Sequence, residues 1–168
     1  MSDLYREILV KREMPASARI LKGALIGLVV LCLLGGIMVT PLLLPVGVVL
    51  GVVFWIFVLP KLDVEYEYLY VNGELDIDAI YSRQKRKRIA SYDMQELELM
   101  APTKSHALDS YVNGQGVKIK DFTSGRPDQK SYTLVLNKEK GREIIQVEFD
   151  DVVVNDIRRI SPRKVNLF

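Results

Sequence analysis

From Gly23 to Pro60 the chain runs for 38 residues without an Asp, Glu, Lys or Arg. Leu, Val, Ile and Gly fill most of these positions. An apolar run beyond roughly 18 residues reads as membrane-spanning. A single helix of this length would measure about 57 Å, nearly twice the ~30 Å thickness of a hydrocarbon core. The run must therefore turn back on itself. Pro41 and Pro45 bracket its middle, and proline both lacks an amide donor and disfavours helix in the residue before it. The expected arrangement is a helix over 20–40, a turn over 40–46 and a second helix over 46–61. A re-entrant hairpin that dips into the bilayer without crossing is the competing reading.

Charge fixes the expected orientation. Residues 1–22 hold five bases, Arg6, Lys11, Arg12, Arg19 and Lys22, against three acids, Asp3, Glu7 and Glu13. The turn of the hairpin holds none, and Lys61 follows the second helix. Short basic flanks stay on the cytoplasmic side, so both termini are expected inside and the protein in the cell (plasma) membrane as a multi-pass chain. The first helix is a poor signal peptide, because its charged preamble is long and no small-x-small site follows it. "VVLC" before the lone Cys32 is a loose match to a lipoprotein site, since Leu31 is bulky where a small residue belongs. One cysteine excludes a disulfide framework and a thiolate metal site.

Residues 61–168 take the remaining eighteen acids and eighteen bases, so the overall charge of +2 comes from the N-terminal segment. A balanced domain gives no global electrostatic case for nucleic acid. Its clearest local signal is "VEYEYLYVNGELDIDAIY", 64–81. Asn72-Gly73 is the favoured two-residue hairpin turn, because both central positions need positive φ. Pairing outward from it sets Tyr70, Tyr68, Tyr66 and Val64 with Leu75, Ile77, Ala79 and Tyr81 on one face, as the two-residue period requires. Glu65, Glu67, Glu74, Asp76 and Asp78 share the other face with Leu69 and Val71. Like charges opposite one another are unfavourable, so a cationic neighbour is expected.

That neighbour is at hand in "RQKRKR": Arg83, Lys85, Arg86, Lys87 and Arg88 are five bases in six positions. Two readings compete. A third strand would set these bases against the acidic stripe, or they would contact an anionic lipid surface, where each base contributes roughly 1 kcal/mol. Alternation prevents all five from reaching one face, so the surplus favours lipid. The run lacks an aromatic platform, which argues against single-stranded nucleic acid.

Beyond it, strands are expected at 95–100, 117–122, 131–137 and 142–149. The last two flank a longer "KEKG" loop, and 103–116 is irregular, with turn signals at Asn113-Gly114 and Gly116. Asp150 or Asp151 caps a final helix whose apolar face is Val153, Ile157 and Ile160, ended by Pro162. The whole is a membrane α-helical hairpin plus a mainly antiparallel β domain, six or seven strands and a C-terminal helix. The chain order of two apolar helices, "EYEYLYVNGELDI", a basic run, "LELMAP" and a final helix resembles an uncharacterised bacterial membrane-protein family that carries a pleckstrin-homology-like domain. The resemblance implies a bent sheet or small barrel with a C-terminal helix, and lends no catalytic residue. The division expected is 1–19, an N-terminal segment; 20–61, the hairpin; and 62–168, the β domain.

No constellation here performs chemistry. His106 is read as solvated, the acids of 63–78 lack the oxygen cage of a calcium loop, and "NGQG" lacks the Lys-Ser/Thr of a phosphate loop. No catalytic residue, metal or cofactor is nominated. The expectation is a non-enzymatic, membrane-tethered binding module that meets anionic lipid or a protein partner through Arg83, Lys85, Arg86, Lys87 and Arg88. The alternative is a structural or assembly subunit whose helices pack on another membrane protein or on a second copy through Gly35-Gly36 and Gly47-x-x-x-Gly51.

Overall fold

The computed structural model describes residues 4–113, 118–138 and 141–167. The chain divides into two compact units, one of Glu13–Val64 with Ile80–Lys85, the other of Met1–Arg12, Glu65–Ala79 and Arg86–Phe168.

The first unit is built on two long helices, α1 (Ala16–Met38) and α2 (Leu43–Leu62). Both are longer than the sequence suggested. At 1.5 Å per residue they measure about 34 and 30 Å, enough for a hydrocarbon core. The turn shrinks accordingly to 39–42. Pro45 lies inside the first turn of α2, where backbone amides have no helical acceptor and the missing donor costs nothing. Pro60 sits further in. The preceding Phe54–Val58 widens to a π-helical turn, the usual response when a proline ring crowds the carbonyl four residues back.

The helices run antiparallel and meet through small residues. A Cβ added at Gly36 would lie 2.6 Å from Leu44 Cγ, and one at Gly47 would lie 3.1 Å from Cys32 Cβ. Gly35 and Gly51 approach Leu43 and Val29 in the same way. The glycines that the sequence offered to a foreign helix are thus spent inside the pair. Nearly every other side chain points outward, including Leu31, Ile37, Leu42 and Trp55. That is the reverse of a soluble protein's core helix.

The second unit holds two four-stranded sheets. The first has the order β1 (Tyr5–Lys11), β2 (Val64–Val71), β3 (Glu74–Tyr81), β4 (Lys85–Asp93). Strand β1 went unread in the sequence, where residues 1–19 figured only for their charge. It pairs antiparallel with β2, from Tyr5 opposite Val71 to Lys11 opposite Glu65. The Asn72-Gly73 turn is as expected, with φ of 50° and 94°. So is the apolar face, since Tyr66, Tyr68, Tyr70, Leu75, Ile77 and Ala79 are all buried.

The second sheet has the order β5 (Leu97–Pro102), β7 (Tyr132–Lys138), β8 (Gly141–Val147), β6 (Ile119–Asp121). Strand β5 starts two residues later than expected, because Met94–Glu96 forms a 3-10 turn begun by Asp93, whose side chain accepts from Gln95 N at 2.8 Å. Strand β6 is short and parallel to β8, the exception in a mainly antiparallel arrangement among the described pairings. Lys138 pairs with Gly141, and the tip of the expected "KEKG" loop lies outside the described residues, as do Gly114 and Gly116.

Helix α3 (Asp151–Ile160) closes the unit. Asp150 caps it by accepting from Val153 N at 2.9 Å. Its buried face is Val153, Val154 and Ile157, while Ile160, expected on that face, is 41% exposed at the last turn. Buried tyrosines end on acceptors: Tyr68 on the Phe122 carbonyl (2.6 Å), Tyr70 on Asp156 (2.8 Å) and Tyr92 on Glu143 (2.8 Å). The segment read as irregular instead forms a helical stretch, His106–Val112, whose Leu108 packs with Ala101, Val135 and Ile144 in a second small core. The C-terminal tail then lies along β5, with Met100 N bonded to Lys164 O and Asn166 N to Met100 O, both at 2.8 Å.

Candidate functional site

The five bases of the run separate into two groups. Strand β4 carries Arg86 and Arg88 to the acidic face. Arg86 pairs with Glu67 and reaches Asp78 at 2.6 Å; Arg88 reaches Asp76 at 3.0 Å and Asp78 at 3.6 Å. Glu67 and Asp78 are buried, so these pairs compensate charges that the sheet has removed from water. Burial pushes the Glu67 carboxyl above its ordinary pKa, Arg86 pulls against that, and the neighbouring Glu7 carboxyl adds to the rise. This half of the run is the charge ladder anticipated from the like-charged stripe.

Lys85 and Lys87 alternate away from that face. Both are exposed, and neither has an ion pair among the described residues. Arg83 is exposed in the turn between β3 and β4, where it and Ser82 hold positive φ of 56° and 48° without a glycine. The turn is closed by Gln84 N to Tyr81 O at 3.0 Å.

A single backbone bond locates this turn. Ser82 N donates to Asp63 O at 2.8 Å, and Asp63 is the residue that ends α2. Within the helical unit, Arg83 and Lys85 therefore stand at the end of the helix pair that also carries Lys61, in the last turn of α2, and Arg19 and Lys22, in the first turns of α1. The Arg19 side chain reaches back out of the helix to Met14 O, 3.1 Å away. Trp55 and Phe57, both exposed, lie one to two turns inside the Lys61 end. Bases at the rim with aromatics just within is the pattern of a membrane–water interface. Sequence spacing hid this collar, since Arg19, Lys61 and Arg83 are far apart in the chain and only the Ser82–Asp63 bond and the antiparallel helices gather them.

Among the described residues no three His, Cys, Asp or Glu side chains converge as metal ligands. His106 is fully exposed and touches Asp109 Oδ2 at 3.2 Å, a partner three residues on that the sequence reading overlooked. Lys120 pairs with Glu143; burial pushes that carboxyl up, but Lys120 and the Tyr92 hydroxyl bring it below its ordinary value.

A family model described as a bacterial PH-like domain (DUF6106) matches residues 2–167. No match was found among the curated proteins or the solved structures.

Proposed function

The chain belongs to the bacterial PH-like domain family DUF6106, and from that premise we propose that it is a non-enzymatic, membrane-tethered module whose basic collar binds anionic lipid headgroups. The observation that carries the reading is the Ser82–Asp63 bond, which holds the basic turn at the end of a helix pair of membrane-spanning length and composition. In this reading 20–61 is the hairpin in the plasma membrane. Residues 62–168 form the cytoplasmic domain, completed by the strand that precedes the helices. β1 leads into α1, α2 leads into β2, and β1 pairs with β2, so both ends of the hairpin leave on one side of the bilayer. The basic flanks make that side the cytoplasmic one.

The charge on the collar is testable in the full chain. Purified in detergent and titrated with short-chain phosphatidylglycerol, it should bind more tightly than to phosphatidylcholine, and binding should weaken with salt. Removing two bases, Arg83→Gln with Lys85→Gln, should cost about 2 kcal/mol of that preference, roughly thirtyfold. Arg86→Gln should leave it intact. Equal binding of the two lipids, or the same loss from Arg86→Gln, would refute the collar. A reproducible turnover would refute the non-enzymatic reading.

One observation favours a second reading, a subunit that packs its helices on another membrane protein. Gly23 and Gly27 lie four apart on α1 with nothing within 4 Å of an added Cβ, unlike the glycines buried inside the pair. A stoichiometric membrane protein that co-purifies with the chain and is lost from Gly27→Leu would support it.

A further inference from the structure

We infer that the chain forms a symmetric dimer by pairing β1 with the β1 of a second copy. The two sheets present four outer edges, and three are guarded. β4 carries Lys85, Arg86, Lys87 and Arg88, charges that discourage another strand. β5 is covered by the tail through Met100, Lys164 and Asn166. β6 is only three residues long. β1 has seven residues, an Ile8-Leu9-Val10 centre and no strand on its outer side among the described residues. Leu9 is 58% and Tyr5 59% exposed. A groove of about 730 Å³ runs beside Ile8–Lys11, with Arg126, Lys130, Glu148 and Asp151 among its lining residues. A seven-residue edge with an apolar centre and charges of both signs is a template for strand addition by a complementary strand.

The register follows from the backbone. Asn72 N donates to Leu4 O at 3.2 Å, which makes Leu4 and Asn72 a hydrogen-bonded pair. Such pairs alternate along an antiparallel ladder, so Arg6, Ile8 and Val10 spend their amides and carbonyls on β2. Tyr5, Glu7, Leu9 and Lys11 turn theirs outward. A two-fold axis at Leu9 sets Leu9 opposite its copy and Glu7 opposite Lys11 twice, joining these outward groups. An axis at Glu7 would oppose two carboxylates, and one at Ile8 leaves both charges without partners. Only the Leu9 register is complementary in charge, and Lys11 has no ion pair of its own among the described residues to give up. Arg6 and Arg12, which that register brings together, are already held by Asp150 at 3.4 Å and Asp121 at 3.6 Å.

The experiment is a charge swap on the full chain in detergent, read as particle mass by light scattering. The wild type is expected as a dimer. Glu7→Lys and Lys11→Glu should each raise the dimer dissociation constant roughly tenfold to thirtyfold, because two attractive cross-strand pairs become repulsive. The double variant E7K/K11E should recover the wild-type value, which a variant that merely fails to fold cannot do. In a Cys32→Ala background, Leu9→Cys should form an intermolecular disulfide on mild oxidation, since directly opposed strand residues lie about 5.5 Å apart at Cα, within disulfide range. A monomeric wild type, a monomer carrying a different protein at this edge, or a double variant as weak as the singles would overturn the dimer.

Discussion

Arg86 is the residue on which the outer face of the first sheet depends. It is half exposed, yet it serves two carboxylates, Glu67 and Asp78, that are buried. Removing it leaves Glu67 without its cation and Asp78 with only the more distant Arg88, at 3.6 Å. Arg86→Gln should therefore lower the urea midpoint of the β domain at neutral pH. The sign of the pH effect follows from Glu67. Its folded pKa lies above the ordinary value of about 4.3, so its ionisation works against folding once pH climbs through that range. In acid the carboxyl is protonated and the need for Arg86 falls. The deficit of Arg86→Gln should shrink as pH falls through the raised Glu67 value, and adding Glu67→Gln should recover part of it at pH 7. A deficit that grows in acid would show that Arg86 acts otherwise. Glu143 runs the opposite way. Burial raises its pKa, but Lys120 and Tyr92 more than offset this, so its contribution is present above the ordinary carboxylate range and is lost as pH falls through the lowered value. Glu143→Gln should flatten the acid limb of the stability curve, which urea titrations from pH 3 to 6 will register.

At the scale of elements, the two turns around β3 make a controlled comparison. Asn72-Gly73 is the residue pair that a two-residue turn demands, and it could be read directly from the sequence together with the tyrosine face it sets in register. Gly73→Ala would force an alanine to φ near 94° and bring its Cβ to about 3.1 Å from Ile160 Cδ1. The cost should be about 1–2 kcal/mol by denaturant titration. The Ser82-Arg83 turn adopts positive φ without glycine, and nothing in its sequence announces this. Its geometry is held by bonds to Tyr81 and Asp63, which only the folded chain supplies. Ser82→Gly should relax the turn and stabilise the protein by roughly 0.5 kcal/mol, because the backbone strain relieved exceeds the added chain entropy. Destabilisation would mean that the serine side chain matters more than its backbone. Strand β1 was illegible for a related reason: "YREILVK" alternates weakly, and its seven residues become a strand because β2 is there to pair with them. Strand β6 likewise depends on β8. The helices needed no such partner, since 38 uncharged residues and two prolines nearly dictate them; only their ends moved. The candidate site was half legible. The residue types of the run were plain, but which bases serve the acidic stripe and which join the collar depends on the parity of β4 and on one backbone bond.

At the scale of the molecule, the PH-like domain and the apolar pair share a chain in which the first strand of the sheet precedes the helices and the second follows them. That order has a practical consequence. A soluble fragment beginning at residue 62 lacks β1 and exposes the edge of β2, so it should aggregate or unfold more readily than the full chain. In the proposed reading, it also brings both ends of the hairpin out on the same side of the membrane. The most direct measurement is thiol accessibility on intact cells, in a Cys32→Ala background, with single cysteines at Thr40 in the helix turn, Lys85 in the collar and Lys130 in the sheet domain. A membrane-impermeant maleimide should label Thr40→Cys at once and reach Lys85→Cys and Lys130→Cys only after the membrane is permeabilised. Labelling of Lys130→Cys on intact cells with Thr40→Cys protected would contradict the account.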